Sequence, residues 1–481
     1  MKISDIFTVK EDKEIYSLMS DSRKPAKKAL FFCIEGLSFD GHDYVEAAIE
    51  AGAVGVVFSK PLNNRIKGIT YIEVKDVKIA LMKAINVFYQ NSFKKMKLFG
   101  VCGTSGKTAV AFWLMKLLNK FSACGYIGGL GLYNTVRVLS DDFSVMEALD
   151  LAYCLDILKT NKINECAVEL SSLTLAADNA SFLNFEIGIF TNYLKENLEK
   201  SKYKTNHKQA DERFFEKLGK SKYAIINSDD FQADSLHKVT SAKILTYGIE
   251  KKADFRAKNI KMGAKGSIFT LMWDNQQFEV KTSALGRFSI YNLLAVIATL
   301  VALKIPIEKI LMEVEKLEAV PGKMEAIDYN QDFNVIVDYT SNAHGFSEVL
   351  SFARSFTPKN KRLITVFGAS AKQDKLQRES LGKTASVYSD LIILCEGNQR
   401  NENPQEIAME IASGIKGKDY YYIEEREYAI EQALTLAQSG DTVIILGKGH
   451  ELFIDRGLVV QKNNYKGDAQ IARDCLIRLA L

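Results

Sequence analysis

Residues 98–114 read LFGVCGTSGKTAVAFWL: an apolar run breaks into Gly103-Thr104-Ser105-Gly106-Lys107-Thr108 and resumes with helical spacing. A strand ending in a glycine-rich turn that opens a helix makes an anion cradle. Free backbone amides point into the turn, and the helix N-terminus adds partial positive charge. Lys107 is placed to reach the terminal phosphates of a nucleotide, and the Thr108 hydroxyl to take a coordination position on magnesium. Val101 stands where the strict G-x-x-x-x-G-K loop has its first glycine, so the pattern is G-x-x-G-T-x-G-K-T. The plainer alternative is a glycine turn that only joins strand to helix.

Three regions must carry this loop. The first, residues 1–96, alternates short strands and helices (ALFFCIEG, YVEAAIEAGA, VGVVFS, YIEV). The second, residues 97–319, continues from the loop through the apolar strands ECAVEL, EIGIFTN and KYAIIN with helical stretches between them. Such alternation predicts a mostly parallel sheet with helices on its faces. FRAKNI, SIFTLMW and QFEVKT read as antiparallel strands packed at an edge, and SIYNLLAVIATLVALKI as a buried helix. Pro321-Gly322 in AVPGKMEAI is a turn signal and a plausible hinge. The third region, residues 320–481, alternates NVIVDY, RLITVFG, DLIILCE and DTVIILGKG with helices and reads as a second doubly wound, Rossmann-like domain. The expected fold class is therefore α/β in three domains: a small N-terminal one, a central ATPase-like parallel sheet with antiparallel edge strands, and the C-terminal one. Phe112 and Trp113 on the loop helix read as core.

Bulk properties narrow the function. The chain has 481 residues, 47% hydrophobic and 25% charged, and its 63 basic against 59 acidic groups give no case for a nucleic-acid surface. No stretch approaches the roughly 18 apolar residues of a membrane helix, and no signal peptide is seen. The seven cysteines are scattered without a C-x-x-C pair, which fits a reducing cytoplasm and not a zinc site.

The loop and the rest of the chain together resemble the Mur ligase family, ATP-dependent enzymes that form amide bonds in peptidoglycan precursors. The resemblance covers nearly the whole chain and is closest to the branch that adds a diamino acid to UDP-N-acetylmuramoyl-L-alanyl-D-glutamate. DSRKPAKKALFFCIEGLSFDGHDYVEAAIEAGA resembles that branch's uridine-nucleotide domain; AVELSS, LGRFSIYNLLA, VPGKME, VDY, NQRNENP and GKGHE resemble successive later motifs. The implied reaction activates a carboxylate with ATP as an acyl phosphate, which an amine then attacks. Closure of three domains would align the reactants.

By position, the resemblance implies that Gly103, Thr104, Ser105, Gly106, Lys107 and Thr108 hold the phosphates of ATP. Thr108, Glu169 and Asn197 would be magnesium ligands, oxygen donors being suited to that ion. Lys107, Glu169 and Asp211 would form the catalytic set. Asn292 would lie near the adenine, Asp338 would contact the ribose, and Lys323 takes the place of a hinge arginine; a structural asparagine and a strand-ending aspartate are the alternatives for the first two. Ser22 and His42 would serve the uridine-nucleotide substrate, and Ser144 and Ser171 the muramyl peptide. In the last domain, Arg400 would hold the far carboxylate of meso-diaminopimelate, Glu451 its ammonium, Gly447 would leave room for the backbone, and Asn398 would line the same pocket. The implied partners are these small molecules, for a cytoplasmic monomer with no nucleic-acid or membrane partner.

Several positions depart from the family pattern. Ser144-Val145-Met146 replaces a Thr-Thr-Pro stretch, Leu173 a histidine, Asn179 an arginine, and Glu196-Asn197-Leu198 an Asp-His-Leu. Asp338-Tyr339-Thr340-Ser341 replaces Asp-Tyr-Ala-His, and Gly397-Asn398-Gln399-Arg400 replaces Asp-Asn-Pro-Arg. Asp211 aligns with a carbamylated lysine; it offers the same charge on a shorter arm without need of bicarbonate, and a shift of one helical turn would put Lys208 there instead. Three readings stay open: a working ligase of this branch, a diverged paralogue with another acid substrate, and an ATP-binding protein without ligase activity.

Overall fold

The computed structural model describes residues 1–481 except 37–38, 140, 194–206, 372, 458–464 and 481. The chain packs as two compact units, Met1–Phe255 with Asn292–Ile307, and Arg256–Tyr291 with Glu308–Leu481. The α/β class read from the strand–helix alternation is the observed one.

In the first unit, β1 (Ser17–Met19), β2 (Ala29–Phe32), β3 (Ala53–Phe58) and β4 (Thr70–Glu73) form a parallel four-stranded sheet in chain order. The central sheet follows with β5 (Lys97–Cys102), β6 (Cys124–Gly128), β7 (Gly131–Tyr133), β8 (Arg137–Leu139), β9 (Glu165–Glu169), β10 (Phe185–Phe190), β11 (Tyr223–Asn227) and β12 (Lys243–Gly248). Their order is β12-β11-β10-β5-β9-β6-β7-β8, with parallel neighbours except that β7 runs antiparallel to β6 and β8 on either side of it. β5, which feeds the loop, lies between β9 and β10, so its apolar residues are buried on both faces. The loop helix Lys107–Leu118 is apolar almost all round because it is covered almost all round; Phe112 and Trp113 are core, as read.

In the second unit, β13 (Phe255–Gly263), β14 (Gly266–Trp273) and β15 (Gln276–Thr282) make the expected antiparallel ribbon. The C-terminal sheet comprises β16 (Glu325–Ala326), β17 (Asn334–Asp338), β18 (Leu363–Phe367), β19 (Leu391–Leu394), β20 (Asp419–Tyr422) and β21 (Thr442–Leu446), ordered β16-β17-β21-β18-β19-β20 and parallel apart from β16. Apolar clusters lie on both of its faces. The helix Arg287–Ala302 is buried along most of its length, as its uniformly apolar sequence requires. All seven cysteines are buried and unpaired, and no described helix is long and apolar enough to cross a membrane.

Candidate active site

The loop after β5 has the geometry its glycines demand. Gly103 and Gly106 have φ of +115° and +88°, which side-chain-bearing residues rarely adopt. A Cβ on Gly103 would stand 2.8 Å from the Asn192 carbonyl oxygen, and one on Gly106 would run into Asn292 Oδ1. Asn192, which the sequence reading missed, clamps the loop: its carbonyl accepts from Thr104 N (2.7 Å), its Oδ1 from Ser105 N (3.0 Å), and its Nδ2 donates to the Ser105 carbonyl (3.0 Å). The amides of Gly106, Lys107 and Thr108 donate to nothing in the described chain and stand at a helix N-terminus. Lys107 Nζ folds back on the carbonyls of Gly103 (2.9 Å) and Thr104 (3.1 Å).

Glu169 closes the other side. It ends β9, one strand from the loop, and is buried at 1% exposure. Thr108 Oγ1 donates to its Oε2 at 3.0 Å. Oε1 accepts from Gly129 N (3.0 Å) and from the Tyr126 hydroxyl. Tyr126 was also missed. Burial and the neighbouring Glu169 carboxylate keep its phenol protonated, well above the usual tyrosine range. The Phe112 ring meets it edge-on at 5.6 Å, one helical turn beyond Thr108. Nothing local in the sequence marks this tyrosine; it follows from the β6–β9 pairing, which sets Tyr126 beside Ala167.

Asp211, on the helix His207–Glu216, is also buried at 1% exposure. Burial pushes its carboxyl up to about 7, against the pull of Lys107 and a hydrogen bond with the Cys102 thiol, and its Oδ1 has no hydrogen-bond partner among the described residues. Lys208, the one-turn alternative, is half-buried and pairs with Glu212 at 3.7 Å. Of the two, the structure directs Asp211 towards the loop. Asn197 lies outside the described residues.

Other expected residues have mixed placements. Ser144 sits near the loop, its Cβ 3.7 Å from a Cβ built on Gly129, from which Thr108 Oγ1 is 3.9 Å. Ser171 caps a short helix through Thr174 N (3.1 Å) and shares a bond with Thr174 Oγ1 (2.9 Å). Thr174 Oγ1 in turn accepts from Met146 N, and Asn179 Nδ2 donates to the Met146 carbonyl (3.0 Å), so these two side chains brace the altered Ser144–Met146 stretch. Ser22 is partly exposed, between Ser20, bonded to Glu147 (3.0 Å), and Lys24, bonded to Asp150 (3.1 Å). His42 is committed internally: Nδ1 meets Asp40 (2.5 Å) and Nε2 accepts from Ser59 N and Lys60 N.

A second constellation lies in the second unit. The turn at Gly322 packs against Gly449, and Lys323 Nζ stands 4.1 Å above the Tyr339 ring, which stacks on His450 at 4.9 Å. Asp338 is buried, its carboxyl raised by burial against the pull of Lys323, and both oxygens accept backbone amides, from Met324 (2.8 Å) and Thr340 (2.7 Å). Beyond β21, Gly447 N donates to the Asp338 carbonyl (3.0 Å). Asn398 is a hub: its Oδ1 accepts from Lys448 Nζ (2.8 Å) and Asp455 N (3.0 Å), and its Nδ2 donates to Glu451 Oε2 (2.9 Å). Lys448 also bonds Glu451 Oε2 at 2.5 Å, and burial holds its ammonium below the ordinary lysine value against that carboxylate. Arg400 Nε donates to Asp455 Oδ2 (2.9 Å).

Comparison with known proteins bears on the whole chain. Residues 101–300 match the Mur ligase middle domain, 322–449 the Mur ligase glutamate ligase domain, and 14–89 the Mur ligase family catalytic domain. The UDP-N-acetylmuramoyl-L-alanyl-D-glutamate–2,6-diaminopimelate ligase 1 of Clostridium acetobutylicum is 35% identical over 441 residues, covering 91% of this chain and 90% of that protein. The chain belongs to the Mur ligase family. The Clostridioides difficile ligase of the same name, without the final number, is 33% identical to this Mur ligase, with 99% and 98% coverage. A solved UDP-N-acetylmuramoyl-L-alanyl-D-glutamate–2,6-diaminopimelate ligase superposes with a TM-score of 0.69 at 24% identity over 97% of this chain and 96% of the other. MurF ligase from Thermotoga maritima in complex with ADP does so at 0.64 and 16% identity, over 96% and 98%. This Mur ligase is accordingly a three-domain, ATP-dependent ligase.

Proposed function

We propose that this Mur ligase joins meso-diaminopimelate to UDP-N-acetylmuramoyl-L-alanyl-D-glutamate, forming ADP and phosphate, as a cytoplasmic monomer. The observation that carries the chemistry is the pairing of Thr108 Oγ1 with Glu169 Oε2 at 3.0 Å beside three uncommitted loop amides. That donor set fits magnesium, which takes one or two protein oxygens and completes its shell with phosphate and water. Thr108 and Glu169 would hold it, and when bound it neutralises phosphate charge.

The remaining roles belong to the chain. The amides of Gly106–Thr108 receive the phosphate oxygens, and Lys107 exchanges its two loop carbonyls for the terminal phosphate. Asn292, against Gly106, fixes the loop's outer wall. The D-glutamate carboxylate attacks the terminal phosphorus, ADP leaves, and the resulting acyl phosphate is attacked by the diamino acid's amine. Phosphate departs and the amine's proton passes to solvent or a nearby base. Asp211, whose Oδ1 has no hydrogen-bond partner among the described residues and which feels the Lys107 charge, supplies a carboxyl oxygen on that side of the site. Arg400 and Glu451, joined through the Asn398 hub and Asp455, supply opposite charges for the far end of a diamino acid that carries both an ammonium and a carboxylate.

The test supplies ATP, magnesium and UDP-muramoyl dipeptide with either meso-diaminopimelate or lysine, reading phosphate release and product mass. Phosphate with the diaminopimelate tripeptide is expected. Turnover only with another acid substrate would favour the diverged-paralogue reading, to which the rebuilt Ser144–Met146 stretch lends its support. Nucleotide binding without turnover would end the ligase reading.

A further inference from the structure

Arg400 is held by more contacts than its exposed position requires. Its backbone is left-handed, φ +51°, a conformation arginine seldom adopts. Its amide donates to the Asp455 carbonyl (2.8 Å) while its Nε donates to Asp455 Oδ2 (2.9 Å), so one residue grips both the root and the head of the side chain. Asp455 is itself fixed: its amide donates to Asn398 Oδ1 (3.0 Å), and its Oδ1 accepts from Gly457 N (3.2 Å). Arg400 Nη1 and Nη2 have no acceptor among the described residues, and the side chain is 46% exposed. A guanidinium tied at Nε turns its two Nη groups outward as a planar fork, the edge that matches a carboxylate with two parallel hydrogen bonds. Without that tie, a long, half-exposed side chain samples many rotamers and loses entropy when a ligand orders it. The Asp455 charge also offsets that of Arg400, so an anion offering only its charge gains little, while one that fills the fork gains two directed bonds.

We propose that Asp455 is a positioning residue that sets the direction of the Arg400 guanidinium, and that the Asn398–Asp455 clasp thereby favours acceptor amino acids whose far end bears a carboxylate. The proposal rests on the assignment of Arg400 to the acceptor's far end. The experiment compares the full-length wild type with Asp455→Ala and Asp455→Asn. Asp455→Ala raises the KM for meso-diaminopimelate about three- to fivefold, a part of what the charge-assisted bonds of Arg400 itself are worth, with kcat within about twofold and the KM for lysine unmoved. Asp455→Asn, which keeps an acceptor oxygen for Nε, recovers most of the loss. A diaminopimelate KM unchanged in Asp455→Ala, or a loss confined to kcat, overturns the proposal. A second readout, nitrogen NMR of the Arg400 Nε–H in selectively labelled protein, follows the clasp itself. The slowly exchanging signal persists in Asp455→Asn and disappears in Asp455→Ala; its persistence in Asp455→Ala overturns the proposal even where neither amino acid is turned over. A signal that behaves as expected in a protein that ignores diaminopimelate leaves the clasp standing and removes the acceptor assignment instead.

Discussion

The nucleotide loop and the Arg400 cluster solve the same problem, holding a charged group in place, by opposite means. The loop presents backbone amides, with Gly103 and Gly106 at positive φ and buried Glu169 at its side. The cluster presents side chains on surface loops, with Arg400 held by Asp455 from 55 residues away and Asn398 bonded to Glu451 from 53 away. A backbone cradle recognises any phosphate chain and tolerates little change. A side-chain cluster recognises one particular pattern of charges and can be retuned by single substitutions. Comparing the two therefore separates general phosphate binding from adjustable specificity within one chain.

The sharpest way to break the comparison is at Lys107. Lys107→Met removes the loop's lysine charge and should lower ATP-dependent phosphate release by about 10²–10³-fold, the scale of losing a charge-stabilising donor. Among the described residues its hydrogen bonds go to two loop carbonyls, so the thermal midpoint should move little. If turnover survives, the backbone amides alone suffice and Lys107 is a loop strut.

The next test reaches the acid beside the loop. Tyr126→Phe removes one of the two donors that fix Glu169 Oε1 while leaving Gly129 N in place. Outer partners of a metal-binding carboxylate typically matter by about 10–100-fold in affinity. Manganese titrated into the ADP-bound protein and followed by its paramagnetic signal should bind weaker by that factor; an unchanged affinity would leave Tyr126 a packing residue against Phe112.

Legibility from sequence divides along the same line. The strand–loop–helix and its glycines were readable because a positive φ and a close approach leave only glycine as a solution, a constraint local to six residues. Glu169 was readable only through its family pattern. Tyr126, Asn192 and Asp455 were not readable at all, because each acts through a partner brought near by sheet pairing or loop return. Asp211 was placed by counting back from Arg213-Phe214-Phe215, and the structure directs it, rather than Lys208, towards the loop. His42 was placed only through the resemblance of DGHDY; its ring nitrogens meet Asp40, Ser59 and Lys60, partners that return from outside that motif as well as within it.

A smaller effect tests the adjustable side. Arg400→Ala should raise the KM for meso-diaminopimelate roughly tenfold, as expected for an exposed, charge-assisted contact. The KM for ATP should hold, because the loop amides and Lys107 carry nucleotide recognition while Arg400 serves the acceptor's far end. Steady-state kinetics with each substrate varied in turn checks both halves; parallel loss of ATP affinity would mean the two regions do not act as separable recognition elements.

Asp211 sets the finest test, since it asks whether the cradle's surroundings carry a cost in stability. Its carboxyl rises from 3.8 to about 7 on folding, chiefly through burial. Between those values the folded protein binds more protons at this site than the unfolded chain, so stability falls as pH rises, by up to about 1.4 kcal/mol per pH unit from this group. Below about pH 4 both states are protonated and above about pH 7 both are ionised, so the contribution is flat at either end. Asp211→Asn removes this slope. The variant's thermal midpoint, compared with that of the wild type in the absence of ligands, should therefore gain by a few degrees on going from pH 5 to pH 8. Equal pH dependence in the two proteins would show that Asp211 is already ionised at pH 5, held so by Lys107, and the buried charge beside the loop would then be an ion pair in place before any nucleotide arrives.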